Sequence, residues 1–200
     1  MIKAVIFDYG GVVHSLSKAG ATQRIAEAYG LLADEIKIFT KDLGIKFGEG
    51  MINEEQYWEE LSKLVGKPKP ENYQEVWKYK TTEDYVIYPE IINLVEEIKT
   101  CGILTIVLSN TIPPHAEFNR EQGGYDHFDK VYLSYEMGVR KPDKRAYEIV
   151  LREMNLDAHE CIYIDDLEEN LVPANEMGMR TILAMSPDQV VKDVREIIVL

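Results

Sequence analysis

A doubly wound α/β fold, with a parallel sheet and a helical insert, is the expectation for this 200-residue chain, on three observations. Short apolar runs at 3–7, 103–108, 130–134, 161–165 and 180–184 are each bounded by turn formers, as buried strands are. Helical patterns separate the later runs, which is the alternation of a parallel sheet with crossover helices. Between about Ser15 and Tyr85 there is no convincing strand, only helical periodicity.

The first run, Ala4-Val5-Ile6-Phe7, ends at Asp8 and is followed at once by Tyr9-Gly10-Gly11. A continuous apolar run that stops this abruptly reads as a parallel strand buried on both faces. The insert carries helical segments near 17–29, 34–43, 53–65 and 71–80, with Gly30, Gly44 and Gly66 where C-caps belong. Asn53 and Gln56 form a capping-box pair, and Lys67-Pro68-Lys69-Pro70 reads as a stiff loop. Trp58 and Trp77 are expected in the insert's own core. The domain expectation is therefore an α/β core of 1–14 and 86–200, with a helical cap domain of 15–85 inserted after the first strand. In the remainder, Pro89 opens a helix with Ile92, Val95 and Ile98 on one face and Gly102 as its stop. Residues 143–154 place Tyr147, Val150, Leu151 and Met154 at helical spacing. A helix over 168–177 ends at Gly178, with Pro173 required in or near its first turn. Pro187 to about Ile197 reads as a terminal amphipathic helix.

Composition narrows the function. A formal charge of −13 argues against general nucleic-acid binding, which needs clustered Lys and Arg. An anionic substrate therefore needs a local cation, and salt confines the background field to about 8 Å. No apolar stretch is long enough to span a bilayer, and no basic region followed by an apolar secretory segment opens the chain. Cys101 and Cys161, both beside apolar runs, are expected as reduced core residues of a cytoplasmic protein. Monomer and homodimer remain equally open on sequence.

An open α/β sheet builds its ligand site beyond the carboxyl ends of its strands. There the chain offers Asp8, then Ser109-Asn110-Thr111, then Arg140-Lys141-Pro142, then Asp165-Asp166 with Asn170 following. Three carboxylates brought close cannot all stay ionised without a cation among them. Hard oxygen donors with few dedicated protein groups suit Mg²⁺, which completes its shell with water and phosphate.

Taken together, Asp8-Tyr9-Gly10-Gly11-Val12, Leu108-Ser109-Asn110-Thr111, Arg140-Lys141-Pro142 and Asp165-Asp166 resemble the haloacid dehalogenase-like superfamily, in the branch with a small helical cap. The segment from Ile164 through Met179 is particularly similar to sugar-phosphate phosphatases and to the phosphatase half of soluble epoxide hydrolases. The resemblance implies a Mg²⁺-dependent phosphatase acting on a small phosphorylated metabolite. It implies Asp8 as nucleophile, Ser109 and the amide of Asn110 as phosphoryl ligands, and Lys141 as the neutralising cation. Asp8, the carbonyl oxygen of Gly10, Asp166 and Asp165 are the implied metal set.

Gly10 is a departure, because the superfamily's phosphatases usually carry a second Asp there as general acid and base. The metal contact through backbone oxygen survives, and the proton donor does not. That substitution keeps a binding protein without efficient turnover as an alternative. A 2-haloacid dehalogenase is a further one, which leaves the Asp165-Asp166 pair without a purpose. His14 is a candidate replacement donor or a hinge residue, Arg140 is expected as a salt-bridge or surface residue, Asn170 as a structural hydrogen-bonder, and Glu49-Gly50 as a pocket-facing turn.

Overall fold

The computed structural model describes residues 1–15, 20–77 and 85–198. Five parallel strands, β1 (Ala4–Phe7), β2 (Leu104–Ser109), β3 (Lys130–Leu133), β4 (Cys161–Asp165) and β5 (Arg180–Leu183), form one sheet in the order β3-β2-β1-β4-β5. β1 lies in the centre, pairing Phe7 with Val107 on one side and with Ile164 on the other. The chain runs outward from β1 to β3, then crosses to β4 and runs outward again. Its switch point therefore opens beside the carboxyl end of β1.

Alternation along each strand divides the core between two faces. Val5, Phe7, Val107, Ile162 and Ile164 point to one face, under α4 (Pro89–Thr100) and α9 (Pro187–Ile198). Ala4, Ile6, Ile106, Leu108, Cys161 and Tyr163 point to the other, under α7 (Lys144–Met154) and α8 (Glu168–Glu176). Both faces are covered, so the strands read as continuous apolar runs.

Between β1 and α4 lie α1 (Ala21–Tyr29), α2 (Ala33–Gly48), α3 (Glu54–Val65) and a 3₁₀ turn (Tyr73–Trp77). They enclose a separate apolar cluster that includes Ile36, Phe47, Tyr57, Trp58, Leu61 and Trp77. Gly30 and Gly66 cap α1 and α3 in the left-handed conformation, and the Asn53–Gln56 capping box forms in both directions. The chain enters and leaves this layer side by side. Ser15 N donates to the Val86 carbonyl (2.9 Å), Tyr88 N donates to the Val13 carbonyl (2.9 Å), and His14 bridges Ile87 antiparallel.

Several expectations change. Gly44 does not end α2, which continues to Gly48, because Leu43 and Phe47 prolong its buried stripe past the glycine. Pro173 sits in the second turn of α8 rather than its first. Cys101 ends α4 exposed, while Cys161 is buried in β4 as expected. Two further helices carry no periodic signal in the sequence. One is α5 (Pro113–Glu121), whose Pro113 and Pro114 occupy the tolerated first positions, and the other is the single turn α6 (Ser134–Met137). Of the helix expected at 71–80, the described part is the 3₁₀ turn; residues 16–19 and 78–84 lie outside the described residues. No described helix is long and apolar enough to cross a membrane.

Candidate active site

The switch point gathers the polar strand ends around one buried lysine. Lys141 is 1% exposed, and its Nζ lies 2.9 Å from Asp8 Oδ1 and 2.7 Å from Asp165 Oδ2. A buried ammonium between two carboxylates is the compensated arrangement that burial of charge requires. The backbone of Lys141 is positioned by Asn110, whose Nδ2 donates to the Lys141 carbonyl (2.9 Å) and whose Oδ1 accepts from the Lys141 amide (2.9 Å). The Asn110 side chain is thereby committed to this clamp, which leaves its backbone N–H for the cavity. Ser134 steadies the next residue, accepting from Thr111 N and donating to Thr111 O.

The carboxylates of Asp8, Asp165 and Asp166 each present an oxygen within 4.8 Å of the others. Their surroundings differ. Asp165 is fully buried, and its oxygens accept from Leu167 N, Asn170 Nδ2, Lys141 Nζ and the Tyr163 hydroxyl. Those bonds engage both of its oxygens, and it is also one of the three carboxylates close enough to share a cation. Asp165 orients Lys141 and the start of α8. Asn170, expected as a structural hydrogen-bonder, does hold Asp165, and its own carbonyl accepts from Tyr147 OH (2.6 Å).

Asp8 and Asp166 face a cavity of about 440 Å³, with Gly10, Ser109, Asn110 and Lys141 also in its wall. Burial, aided by the Asp165 charge, pushes the Asp8 carboxyl up to about 6, against the pull of Lys141 and the Tyr9 N–H. Burial and then the Asp165 charge also raise Asp166. A cluster of carboxylate oxygens facing one cavity, all hard donors, fits a small divalent cation such as Mg²⁺. Gly11, at φ +83°, permits this closeness, since a Cβ there would fall 2.5 Å from Asp166 Oδ2.

Other residues are placed differently from expectation. His14 lines the cavity but donates from Nδ1 to the Ser15 carbonyl (2.6 Å), and burial lowers its pKa to about 4. It is therefore neutral near pH 7 and a poor acid. Arg140, half-exposed, contributes to the cavity wall, whereas Glu49 and Gly50 are absent from it. Gly50 instead abuts the Tyr135 carbonyl, where a Cβ would come within 2.3 Å. Trp58 is buried in the helical layer, as expected. Arg24, His115 and Asn119 also line the cavity and were not anticipated. Arg24 is buried with Nε bonded to the Val76 carbonyl (2.8 Å), and His115 and Asn119 lie on α5.

Comparison with known proteins agrees with this geometry. A sesquiterpene phosphatase of Aspergillus oryzae is 29% identical over 88% of this chain and 87% of its own length. A D-ribitol-5-phosphate phosphatase of Bacteroides thetaiotaomicron is 25% identical, covering 90% and 91%. The chain spans only 39% of bifunctional epoxide hydrolase 2 from Sus scrofa, at 23% identity over 98% of this chain. Among solved structures, a HAD family enzyme of B. thetaiotaomicron, in complex with magnesium and inorganic phosphate, superposes with a TM-score of 0.75 at 23% identity, covering 91% of this chain and 93% of that one. The family model for haloacid dehalogenase-like hydrolases matches residues 2–178, and the chain belongs to that family of hydrolases.

Proposed function

We propose that this protein is a Mg²⁺-dependent phosphatase that hydrolyses phosphate monoesters of a small metabolite through an aspartyl phosphate on Asp8. In this reading residues 15–85 form a cap domain inserted into an α/β core of 1–14 and 86–200. The observation that carries the proposal is the division of labour around Lys141. Asp165 holds the ammonium from behind, while Asp8 shares it at the floor of the cavity and Asp166 faces the same space. The relatives named above as phosphatases support the reaction class.

An Asp8 carboxylate oxygen attacks phosphorus, and the ester oxygen departs with the bonding electron pair. Ser109 and the Asn110 N–H bind the phosphoryl oxygens, and Lys141 offsets negative charge on both the nucleophile and the group in transit. Asp8, Asp166 and the Gly10 carbonyl oxygen would hold Mg²⁺, which would supply further positive charge at the phosphoryl group. Water then attacks phosphorus, releasing phosphate and restoring Asp8. The departing alkoxide takes its proton from water or from the substrate, because Gly10 brings no acid.

A screen of phosphorylated metabolites with and without Mg²⁺, using Asp8→Asn as the blank, tests the proposal. Phosphate release should require both the metal and Asp8. Release that survives a chelator or the Asp8→Asn substitution overturns it, as does metal-free dehalogenation of a 2-haloacid by a chain that releases no phosphate.

A further inference from the structure

We propose that the alcohol half of the phosphate ester is apolar, an alkyl, prenyl or aryl group, and that it enters a second chamber continuous with the catalytic cavity. The inference rests on the phosphatase reading and names its substrate class. The chamber, of about 390 Å³, lies between α1, α2 and the 3₁₀ turn, with Ile25, Phe47, Tyr57, Trp77 and Ile112 in its walls. It shares Ala21, Asn110, Thr111 and His115 with the cavity above Asp8. A phosphoryl group at Asn110 would therefore sit at the border of the two spaces. The volume lies within the range of small-molecule sites, whose walls are mostly apolar with a few orienting polar groups.

Three polar side chains of the chamber, Thr40, Trp77 and Asn110, are committed to other partners, and aromatic and aliphatic carbon makes up much of the remaining wall, which disfavours a sugar. The Thr40 hydroxyl donates to the carbonyls of Ile36 and Lys37, and Trp77 Nε1 donates to Glu54. Lys37 and Lys41 belong to the lining too, but both are exposed to solvent. A polyol placed here would exchange hydrogen bonds with water for contacts with aromatic and aliphatic carbon.

Gly44 supplies the independent observation. It lies inside α2, where glycine is less favourable than any residue but proline. It also lines the chamber, and a Cβ built on it meets no atom within 4 Å. No neighbouring backbone or side chain requires a glycine at this position. A larger side chain at this position of the lining has open space to extend into.

The test compares ethyl, hexyl and decyl phosphate with D-ribitol 5-phosphate. It measures kcat/KM for the natural chain and, by calorimetry, affinity for the Asp8→Asn chain, each with and without Gly44→Phe. Each methylene buried between ethyl and hexyl phosphate should raise affinity and kcat/KM by about threefold to fourfold. Gly44→Phe should cut the hexyl-to-ethyl ratio by at least tenfold. Preference for D-ribitol 5-phosphate over hexyl phosphate in both measurements overturns the inference, as does a ratio unmoved by Gly44→Phe in a folded protein. The chain-length series needs no substitution in the chamber, so it decides the matter even for a poorly folded variant. Binding to Asp8→Asn that rises with chain length, without turnover of any ester by the natural chain, upholds the chamber and removes the phosphatase reading. Turnover without dependence on chain length does the reverse.

Discussion

The carboxylate of Asp166 rests against the bare Cα of Gly11, in space that a Cβ would otherwise occupy at 2.5 Å. This contact joins the loop after β1 to the loop after β4, and it brings Asp166 to the same opening as Asp8. Gly11 also has φ +83°, a conformation that strains any residue with a side chain. Gly11→Ala should therefore push Asp166 away and weaken the apparent Mg²⁺ affinity by about 10- to 100-fold, the usual range for disturbing the surroundings of a metal ligand. Activity titrated against Mg²⁺ checks this, with an unchanged half-saturation point as the contrary result.

Asp165 and Asp166 are adjacent in sequence and should fail in different ways. Asp165→Ala leaves the Lys141 ammonium buried with only Asp8 beside it and removes the partner of Asn170 and Tyr163. Breaking such a pair costs about 3–5 kcal/mol. Asp166→Ala touches a half-buried group facing the cavity, so it should spare most of the stability and raise the Mg²⁺ requirement. Urea unfolding together with Mg²⁺ titration of both variants separates the two effects, and similar profiles would refute the distinction.

Gly10 should appear in the dependence of rate on the leaving group. Aryl phosphates depart as stabilised phenolates and barely need a proton, whereas alkyl phosphates depend on one. General acid catalysis is worth about 10²–10⁴ in rate, so kcat/KM should fall steeply as leaving-group pKa rises. Gly10→Asp should flatten that slope while changing the aryl rate little. A slope already shallow in the natural chain would mean that another cavity residue donates the proton.

His115 predicts acid sensitivity. Burial, then the positive charge of Arg24, lowers its pKa from 6.5 to about 4 in the folded chain. Between those values the unfolded chain binds a proton that the folded chain does not, so stability rises with pH across the interval. It is lost as pH falls from about 6.5 toward 4, by at most about 3 kcal/mol. Urea midpoints at pH 7.5 and pH 5 should differ more for the natural chain than for His115→Asn. Equal losses in both would place the acid sensitivity elsewhere.

The sheet and its polar strand ends were legible because they depend on short-range pattern. Continuous apolar runs such as Ala4–Phe7 and Cys161–Asp165 declare buried parallel strands, and alternation with helices forces a switch point where Asp8, Ser109, Lys141 and Asp166 gather. Capping signals carried α1 and α3 for the same reason, because Gly30, Asn53 and Gly66 act on their own turns. α5 stayed hidden because its prolines read locally as breaks, although at its first two positions they cost no hydrogen bond.

Tertiary packing alone decided what each polar residue does. Asp165 and Asp166 look equivalent along the chain, yet the first is consumed by Lys141, Tyr163 and Asn170 while the second opens to the cavity. Gly44 reads as a helix stop, yet Leu43 and Phe47 draw α2 past it because burying their side chains outweighs a glycine's local preference. Which donors meet which acceptors, and where space is left, depends on segments far apart in sequence arriving together. Residue pattern along the chain carries the periodicity of burial, and only the packed structure allots hydrogen bonds and empty volume.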